Sequence, residues 1–458
     1  MAGYVPTELA ELAEQLELDL PPDGKPANPL VVVELDRWRD APPGLIRRAA
    51  GLVANALPVT AGVLAGPPAI ALEPLIAAAT LTLTARTALD GGMRESVPVG
   101  DLPGSPGLDG ALSRLRAAVE RSPRAAIACG QLVRQTAALD TAAGLAAEAA
   151  AYSLLLGGPE FARWLGERGE PRRREPPAEL VRVSRDGARL SIVLNDPGRR
   201  NAFSARLREA LLDALLVGGA DETVTSVELS GAGPAFCSGG DLDEFGTATD
   251  LVAAYLVRLS RAPWRVIDRI AAKVTVTAHG ACVGAGTEMA AYAGRITAAP
   301  DAFFALPEVA MGLVPGAGGS VSVPRRIGRW RAAWLMLTGD RLPAATALRW
   351  GLVDEVTQGT GITPGTAGLL AGPVSSRVWI AGSRVSSGWL VRNATTVAPP
   401  ASPSGARVAN RLMTWRRASS TSRTGSRLWP RSQPRSTWLW AETTCAASAE
   451  PGGCHQLR

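Results

Sequence analysis

One stretch of the chain, VTVTAHGACVGAGTEM (274–289), combines features that could support catalysis. Its first four residues, VTVT, are β-branched and alternate between apolar and polar. Small residues and glycines follow, and the residues after them favour a helix. The pattern therefore predicts a strand, a tight turn and a helix. Such a turn leaves backbone N–H groups unpaired in front of the helix, where they can stabilise a developing negative charge. Because Glu288 follows in the first turns of this helix, we expect acid/base chemistry beside a carbonyl group.

A second stretch, PAFCSGGDLDEF (234–245), follows a predicted strand at 225–233. Gly239 and Gly240 allow another segment of backbone to approach closely, and Asp241 is of the type that caps a following helix. Upstream, residues 179–194 form two strand-like runs around the turn Asp186–Gly187, which predicts a hairpin. A loop and an amphipathic helix come next. These elements predict an α/β core at 179–356.

Five motifs occur in order along this core: LNDPGRRNA, GAGPAFCSGGDL, HGACVGAGTEM, LPEVAMGLVPGAGG and ALRWGLVDEV. Together they resemble the crotonase superfamily, the enoyl-CoA hydratase/isomerase family, over about 178–356. The resemblance implies a core of repeated ββα units wound into a superhelix. It also implies an oxyanion hole of two backbone N–H groups that holds a thioester carbonyl and stabilises its enolate.

By motif position, the resemblance places the two oxyanion donors at Gly240 and Ala285. Family members often have glycine at the second position, and alanine keeps the N–H. The hydratase branch has one glutamate on the helix after the second donor and another in a loop 20 residues later, which correspond to Glu288 and Glu308. Hydration needs a base to activate water and an acid to protonate carbon, and two carboxylates can share that work. Isomerases usually need only one of them, so the pair favours an enoyl-CoA hydratase, a lyase of fatty acid metabolism.

The resemblance also implies where the substrate binds. Two neighbouring arginines, Arg199 and Arg200, precede Asn201 in a loop that could meet the phosphates of coenzyme A. The other predicted substrate-binding residues lie in the motifs around the donors: Ala235, Ser238, Gly239, Asp241, Gly284 and Gly316. Coenzyme A is part of the substrate, and we expect no separate cofactor and no metal. The family further implies a homotrimer or a multiple of three.

Other interpretations stay open from the sequence. Glu308 follows Pro307 and could be an acid at a helix start, and His279 could be structural, as could Cys237 and Cys282. Within the family, the activity could be double-bond isomerisation or oxygenation of an aryl-acetyl-CoA. A non-catalytic acyl-CoA-binding partner is the alternative outside enzymes.

The residues before the core predict an N-terminal extension (1–27), a separate domain (28–170) and a charged, proline-rich linker (171–178). Strand-like runs occur at 28–36, 57–66 and 80–85, and a helical pattern covers 109–165. These strands and helices weakly resemble early strands and C-terminal helices of crotonases. We interpret the domain as a degenerate crotonase-like unit without a site of its own, whose helices close the active site of the core.

The residues after the core differ in composition. From 357 to 458 the chain has 12 arginines, no lysine and two glutamates, and since the whole chain carries +6, the first 356 residues carry −4. The tail is rich in Arg, Ser and Trp without periodicity, so we expect disorder, and translation out of frame would explain its abrupt start. The acidic body argues against nucleic-acid binding. The acidic N-terminus, five unpatterned cysteines and lack of a long apolar run predict a cytoplasmic protein that does not span a membrane.

Overall fold

Three β-sheets organise the chain in a computed structural model that describes residues 7–85, 93–169 and 175–357. Residues 171–174 of the predicted linker and 358–458 of the predicted tail lie outside the described residues. Among the described residues, no helix is long and apolar enough to cross a membrane.

The first sheet is parallel and belongs to the N-terminal half. Its strands follow in the order β1 (Leu30–Glu34), β2 (Val59–Leu64), β3 (Leu81–Thr84) and β4 (Val97–Pro98). The first three confirm the strands predicted at 28–36, 57–66 and 80–85. Strand β2 is almost wholly buried, as its largely apolar sequence predicts, and β3 is wholly buried although every second residue is threonine. Three helices form a small apolar cluster with β1: α1 (Thr7–Leu16), α2 (Pro43–Asn55) and α3 (Glu73–Ala78).

Four helices follow in the segment where the sequence predicts a helical pattern. They are α4 (Gly107–Arg121), α5 (Pro123–Thr136), α6 (Thr141–Leu156) and α7 (Pro159–Arg168). Asp140 caps α6 by accepting a hydrogen bond from the Ala143 N–H at 2.8 Å. Glu160 of α7 accepts hydrogen bonds from the N–H groups of Arg124 and Ala125 at the start of α5. The first carboxylate therefore stabilises the start of α6, and the second holds α7 against the start of α5.

The second sheet forms the core of the C-terminal half. It has the order β13-β10-β8-β7-β6-β5, and only the predicted hairpin pair β5–β6 is antiparallel. Its strands are β5 (Val181–Asp186), β6 (Arg189–Leu194), β7 (Ser226–Gly231), β8 (Val274–Ala278), β10 (Arg295–Ala298) and β13 (Glu355–Val356). Helix α8 (Ala205–Ala220), capped by Ser204, packs its leucines against this sheet.

A third, smaller sheet lies next to the predicted turn. It joins β9 (Ala281–Val283), β11 (Phe303–Ala305) and β12 (Leu342–Pro343). The remaining helices are α9 (Leu251–Ser260), α10 (Pro263–Arg269), α11 (Ala285–Ala290), α12 (Gly319–Ile327), α13 (Arg329–Thr338) and α14 (Ala344–Trp350). The sequence pattern predicts α11, whereas it gives no prediction for α12, whose interior contains Pro324.

One hydrophobic core runs through both halves. Leu81 of β3, Leu115 of α4 and Tyr152 of α6 belong to the same buried cluster as Ile192 of β6 and Val276 of β8. Contacts also place the described residues, from 7 to 357 with their gaps, in a single compact unit. The helices at 107–168 therefore pack directly on the C-terminal core, while the boundaries predicted at 170 and 179 stay predictions.

Candidate active site

Two loops meet at the end of the third sheet. The loop before Gly240 runs beside β9, since the Cys237 N–H donates to the Ala281 oxygen at 3.1 Å and the Val283 N–H donates to the Cys237 oxygen at 2.9 Å. Strand β9 leads through Gly284, with φ of 50°, into α11, which begins at Ala285. The predicted strand is β8 and the predicted helix is α11, whereas β9 lies in the segment predicted as a tight turn, between Gly280 and Gly284, which both have positive φ.

The predicted oxyanion donors line one cleft. Gly240 and Ala285 both border a cavity of about 470 Å³. Among the backbone hydrogen bonds of the described residues, none uses the N–H of Gly240 or of Ala285. Two N–H groups without an internal acceptor suit a ligand oxygen, because a buried donor that stays unpaired is costly.

Asn201 holds the first loop in place. Its side chain is fully buried and donates to the backbone oxygens of Ala235 at 2.8 Å and Phe236 at 3.1 Å. Its Oδ1 accepts the Asp196 N–H at 2.8 Å. A buried amide that satisfies this many backbone groups fixes the loop just before Gly240. From the sequence, Asn201 is recognisable only as part of the LNDPGRRNA motif, without a predicted role.

The two predicted glutamates line the same cleft. Glu288 is 2% exposed, and its Oε2 accepts the N–H groups of Ala317 at 2.7 Å and Gly319 at 2.8 Å. Glu308 is 8% exposed, and its buried Oε2 has no hydrogen-bond partner among the described residues. The structure thus brings both carboxylates to the cleft walls that carry Gly240 and Ala285.

Burial sets the protonation of this pair. Desolvation raises the pKa of Glu288 well above its ordinary value, and the negative charges of Glu308 and Glu148 raise it further. Desolvation likewise raises the pKa of Glu308, to about 8. Since two buried like charges cannot both ionise easily, the pair keeps a proton near neutral pH. It can therefore offer an acid and a base at once.

The other predicted binding residues divide into two groups. Asp241 and Gly316 line the cleft, whereas Ala235, Ser238, Gly239 and Gly284 do not and instead belong to the backbone that positions the donors. At Gly284, the φ of 50° favours glycine, and an added Cβ would come within 2.6 Å of Glu308 Oε1, so a side chain there would displace the Glu308 carboxylate.

The two arginines predicted to meet phosphates lie in different environments. Arg199 makes ion pairs with Asp241 and Asp243, while Arg200 is exposed and has a left-handed backbone with φ of 53°. Neither residue lines the cleft. The contact of these arginines with phosphates stays a prediction. At Arg199, a phosphate would have to compete with the carboxylates of Asp241 and Asp243 for the guanidinium group.

The cysteines and the histidine near the turn have structural surroundings. Cys237 and Cys282 are fully buried, and burial raises the pKa of Cys237 to about 12, which removes its thiolate at neutral pH. His279 Nε2 lies 2.9 Å from the Gly233 oxygen. All three fit the packing roles favoured by the sequence.

The N-terminal half contributes residues that the sequence analysis missed. Tyr152 and Leu156 of α6 line the cleft. Glu148, one turn before Tyr152, is 2% exposed. Its carboxylate lies near those of Glu288 and Glu308, and its negative charge acts on both. One signal was available: Glu148 is the only charged residue in the otherwise apolar and small-residue helix α6.

The C-terminal half of the chain is similar to known proteins. The family model described as Enoyl-CoA hydratase/isomerase matches residues 186–362. A protein of Rhizobium meliloti named "Probable enoyl-CoA hydratase" is 34% identical over 39% of this chain and 68% of its own.

Two relatives from Escherichia coli show the range of reactions among similar chains. The 2,3-dehydroadipyl-CoA hydratase is 31% identical over 39% of this chain and 69% of its own length. The 1,2-epoxyphenylacetyl-CoA isomerase is 33% identical over 36% of this chain and 65% of its own length. By sequence motifs, by these similarities and by its α/β core, the chain belongs to the enoyl-CoA hydratase/isomerase family of the crotonase superfamily.

Proposed function

We propose that the protein is an enoyl-CoA hydratase that adds water across the 2,3 double bond of a 2-enoyl-CoA thioester. One observation carries this proposal: Glu288 and Glu308 are buried in the cleft that Gly240 and Ala285 also line. Members of the superfamily bind acyl-CoA substrates, and a pair of carboxylates is what distinguishes hydration from chemistry that needs a single base.

The backbone donors act on the thioester. The N–H groups of Gly240 and Ala285 would hold the carbonyl oxygen, on which negative charge grows as the enolate forms. Each such donor contributes on the order of 2.7 to 4 kcal/mol to transition-state stabilisation in a dry site. The unpaired state of both N–H groups supports this role.

The glutamates move the protons. The ionised carboxylate takes a proton from water while the water oxygen bonds to C3, and the protonated carboxyl gives its proton to C2. The water O–H bond and the C2=C3 π bond break and the C3–O and C2–H bonds form, while one carboxyl gains a proton and the other loses one, so the pair again holds a single proton at the end. The raised pKa of Glu308, about 8, supports a carboxyl that is protonated at neutral pH.

Absorbance of the conjugated thioester tests this function. A scan of 2-enoyl-CoA substrates should show loss of that band with the wild-type protein. Glu288→Gln and Glu308→Gln should each lower kcat by about 10²-fold or more, the size expected for lost general acid/base catalysis. Glu120→Gln, at an exposed position of α4, serves as the matched control. If both active-site variants kept nearly full turnover, the two-glutamate mechanism would be wrong.

Double-bond isomerisation is the second candidate, and the matching family model, whose description names both hydratases and isomerases of enoyl-CoA, favours keeping it. An isomerase would convert a 3-enoyl-CoA into the conjugated 2-enoyl-CoA, so the same band would grow. It would also tolerate loss of one glutamate much better than loss of the other. Assaying both substrate classes with both variants separates the two reactions.

A further inference from the structure

Helix α6 lies outside residues 186–362, the part of the chain that matches the family model. Two of its side chains, Glu148 and Tyr152, contact the glycine-rich loop that precedes α12. Glu148 does not line the cleft, whereas Tyr152 does. A role for Glu148 must therefore act through the loop.

The loop's N–H groups alternate between two carboxylates. Glu148 Oε1 accepts the Gly318 N–H at 2.6 Å, and its Oε2 accepts the N–H and the hydroxyl of Ser320 at 2.8 and 2.7 Å. Glu288 accepts the N–H groups of Ala317 and Gly319. Four consecutive N–H groups are thus satisfied by one carboxylate from α6 and one from α11. Loss of either acceptor would leave buried donors unpaired and let the loop shift.

The other end of the loop is also held by α6. The Tyr152 ring packs so closely on Gly316 that an added Cβ would come within 2.5 Å of it. The Arg258 guanidinium lies 3.5 Å from the centroid of this ring and donates to the Gly316 oxygen at 3.0 Å. The N-terminal half therefore contacts both ends of residues 316–320: Tyr152 packs on Gly316, and Glu148 accepts the N–H groups of Gly318 and Ser320. Arg258 of α9 contacts both Tyr152 and Gly316.

We propose that Glu148 is a positioning residue for the reaction: it fixes residues 317–320 and, through them, the orientation of the Glu288 carboxylate. This inference rests on the proposed hydration. In this arrangement the N-terminal half completes the active site of the core, because without α6 only one side of the loop would have acceptors.

Charge gives Glu148 a second effect on the pair. Burial raises its pKa, to about 7, against the opposing hydrogen bonds from Ser320 and Gly318 and the charge of Arg258. Its negative charge in turn raises the pKa of both Glu288 and Glu308. The titratable groups that face it or feel its charge come from several elements: Cys129, Tyr152, Arg258, Glu288, Tyr292 and Glu308.

The test is Glu148→Gln in the full chain, with kcat, KM, the pH profile of kcat/KM and the thermal midpoint as readouts. A glutamine can accept with only one of its two terminal groups, so one loop N–H loses its partner. We expect kcat to fall about 10- to 100-fold, as for a misplaced catalytic group, with KM changed little. Because an anion is removed, the apparent pKa values of the profile should also move downward.

Glu160→Gln is the matched control. Glu160 is also buried, on the neighbouring helix α7, and its carboxylate also accepts two backbone N–H groups. This variant should lose thermal stability but keep kcat and the pH profile. If Glu148→Gln behaved in the same way, Glu148 would be only a structural cap and the proposal would be overturned.

Two further variants cover the case in which Glu148→Gln does not fold. Ser320→Ala removes only the hydroxyl bond, and Glu148→Asp keeps the charge on a shorter side chain. Both should lower kcat by less than the glutamine variant while KM stays near the wild-type value, and unchanged kcat in both would overturn the proposal. If the wild-type protein had no hydration activity, the proposed function itself would be refuted. The role of Glu148 is tested separately, by the ratio of variant to wild-type activity in an active enzyme.

Discussion

At the scale of residues, the site depends on buried groups that have few ways to be satisfied. Glu288 and Glu308 are nearly inaccessible yet carry ionisable groups, and burial raises the pKa of each. Gly240 and Ala285 offer N–H groups that the described residues leave without an acceptor. Both conditions are unfavourable in an ordinary core and become useful when a polar substrate supplies the missing partners.

Ala285→Pro tests the second oxyanion donor. Ala285 is the first residue of α11, a position that proline tolerates, so the substitution removes the N–H with little expected change in fold. We expect a loss of about 2.7 to 4 kcal/mol in transition-state stabilisation, measured as kcat/KM. Ala285→Gly keeps the N–H and should be mild. Equal losses in both variants would show that the shape of the turn, and not the donor, controls activity.

At the scale of elements, close packing of α11 against the first loop brings the two donors to one cleft. Gly286 lies so near this loop that an added Cβ would come within 2.6 Å of the Cys237 oxygen. The loop itself is tied to β9 by two backbone hydrogen bonds and to Asn201. The strand, helix and loop are therefore joined by direct contacts, and a change in their spacing should displace both donors.

Gly286→Ala tests this spacing. The methyl group would collide with backbone, and we expect destabilisation of about 1 to 3 kcal/mol by overpacking, with reduced turnover. Gly219→Ala is the control, since its Cβ would lie 3.7 Å from Ile270 in ordinary contact on helix α8. That change should stabilise the protein by about 0.4 to 1 kcal/mol. Denaturant unfolding measures both, and a neutral Gly286→Ala would contradict the close-packing argument.

At the scale of the whole molecule, the two halves share one core and one site. Arg94 donates to the backbone oxygens of Arg325 and Arg326, and the Trp350 indole donates to Asp101 at 3.1 Å. Such contacts join α12 and α14 of the C-terminal half to the N-terminal half. The N-terminal half is therefore as much a part of the active structure as the segment that carries the family motifs.

The pH dependence of stability follows from the buried carboxylates. Glu308, with a pKa of about 8, holds a proton in the folded chain that the unfolded chain releases above its ordinary value of 4.5. Its contribution to the free energy of unfolding is thus present at low pH and is lost as pH rises between these two values. Glu308→Gln removes this loss. We expect the thermal midpoint of the variant to increase relative to that of the wild type as pH rises from about 5 to about 8. A difference between the two midpoints that did not change with pH would contradict the raised pKa.

A chain that ends after Thr357 tests how much of the protein the site needs. The last described contacts are those of β13 with β10 and of the Thr357 N–H with the Ala298 oxygen. All residues assigned to the cleft, including those of α6, precede this point. We expect the shortened chain to keep its fold, hydration activity and most of its thermal stability. Loss of folding or turnover would show that residues after 357 are required.

The sequence by itself determined the parts of the site that depend on local chain chemistry. Glycine turns between a strand and a helix need particular residues at fixed spacing, so the motifs around Gly240, Ala285 and Glu288 could be recognised in order. The hairpin at 181–194 and the helices at 107–168 followed from turn residues and from periodicity.

Only the tertiary structure decided what meets across long separations. Glu148 contacts Gly318 from 170 residues away, and no local pattern encodes that pairing. Helix α12 forms despite Pro324 because the Thr136 hydroxyl of α5 donates to the Ser320 oxygen at 2.6 Å, the carbonyl that lacks an N–H donor at the proline. Arg199 is engaged by Asp241 and Asp243 because the intervening chain folds back. Burial, and with it the raised pKa of each glutamate, is a property of the packed molecule and not of any segment.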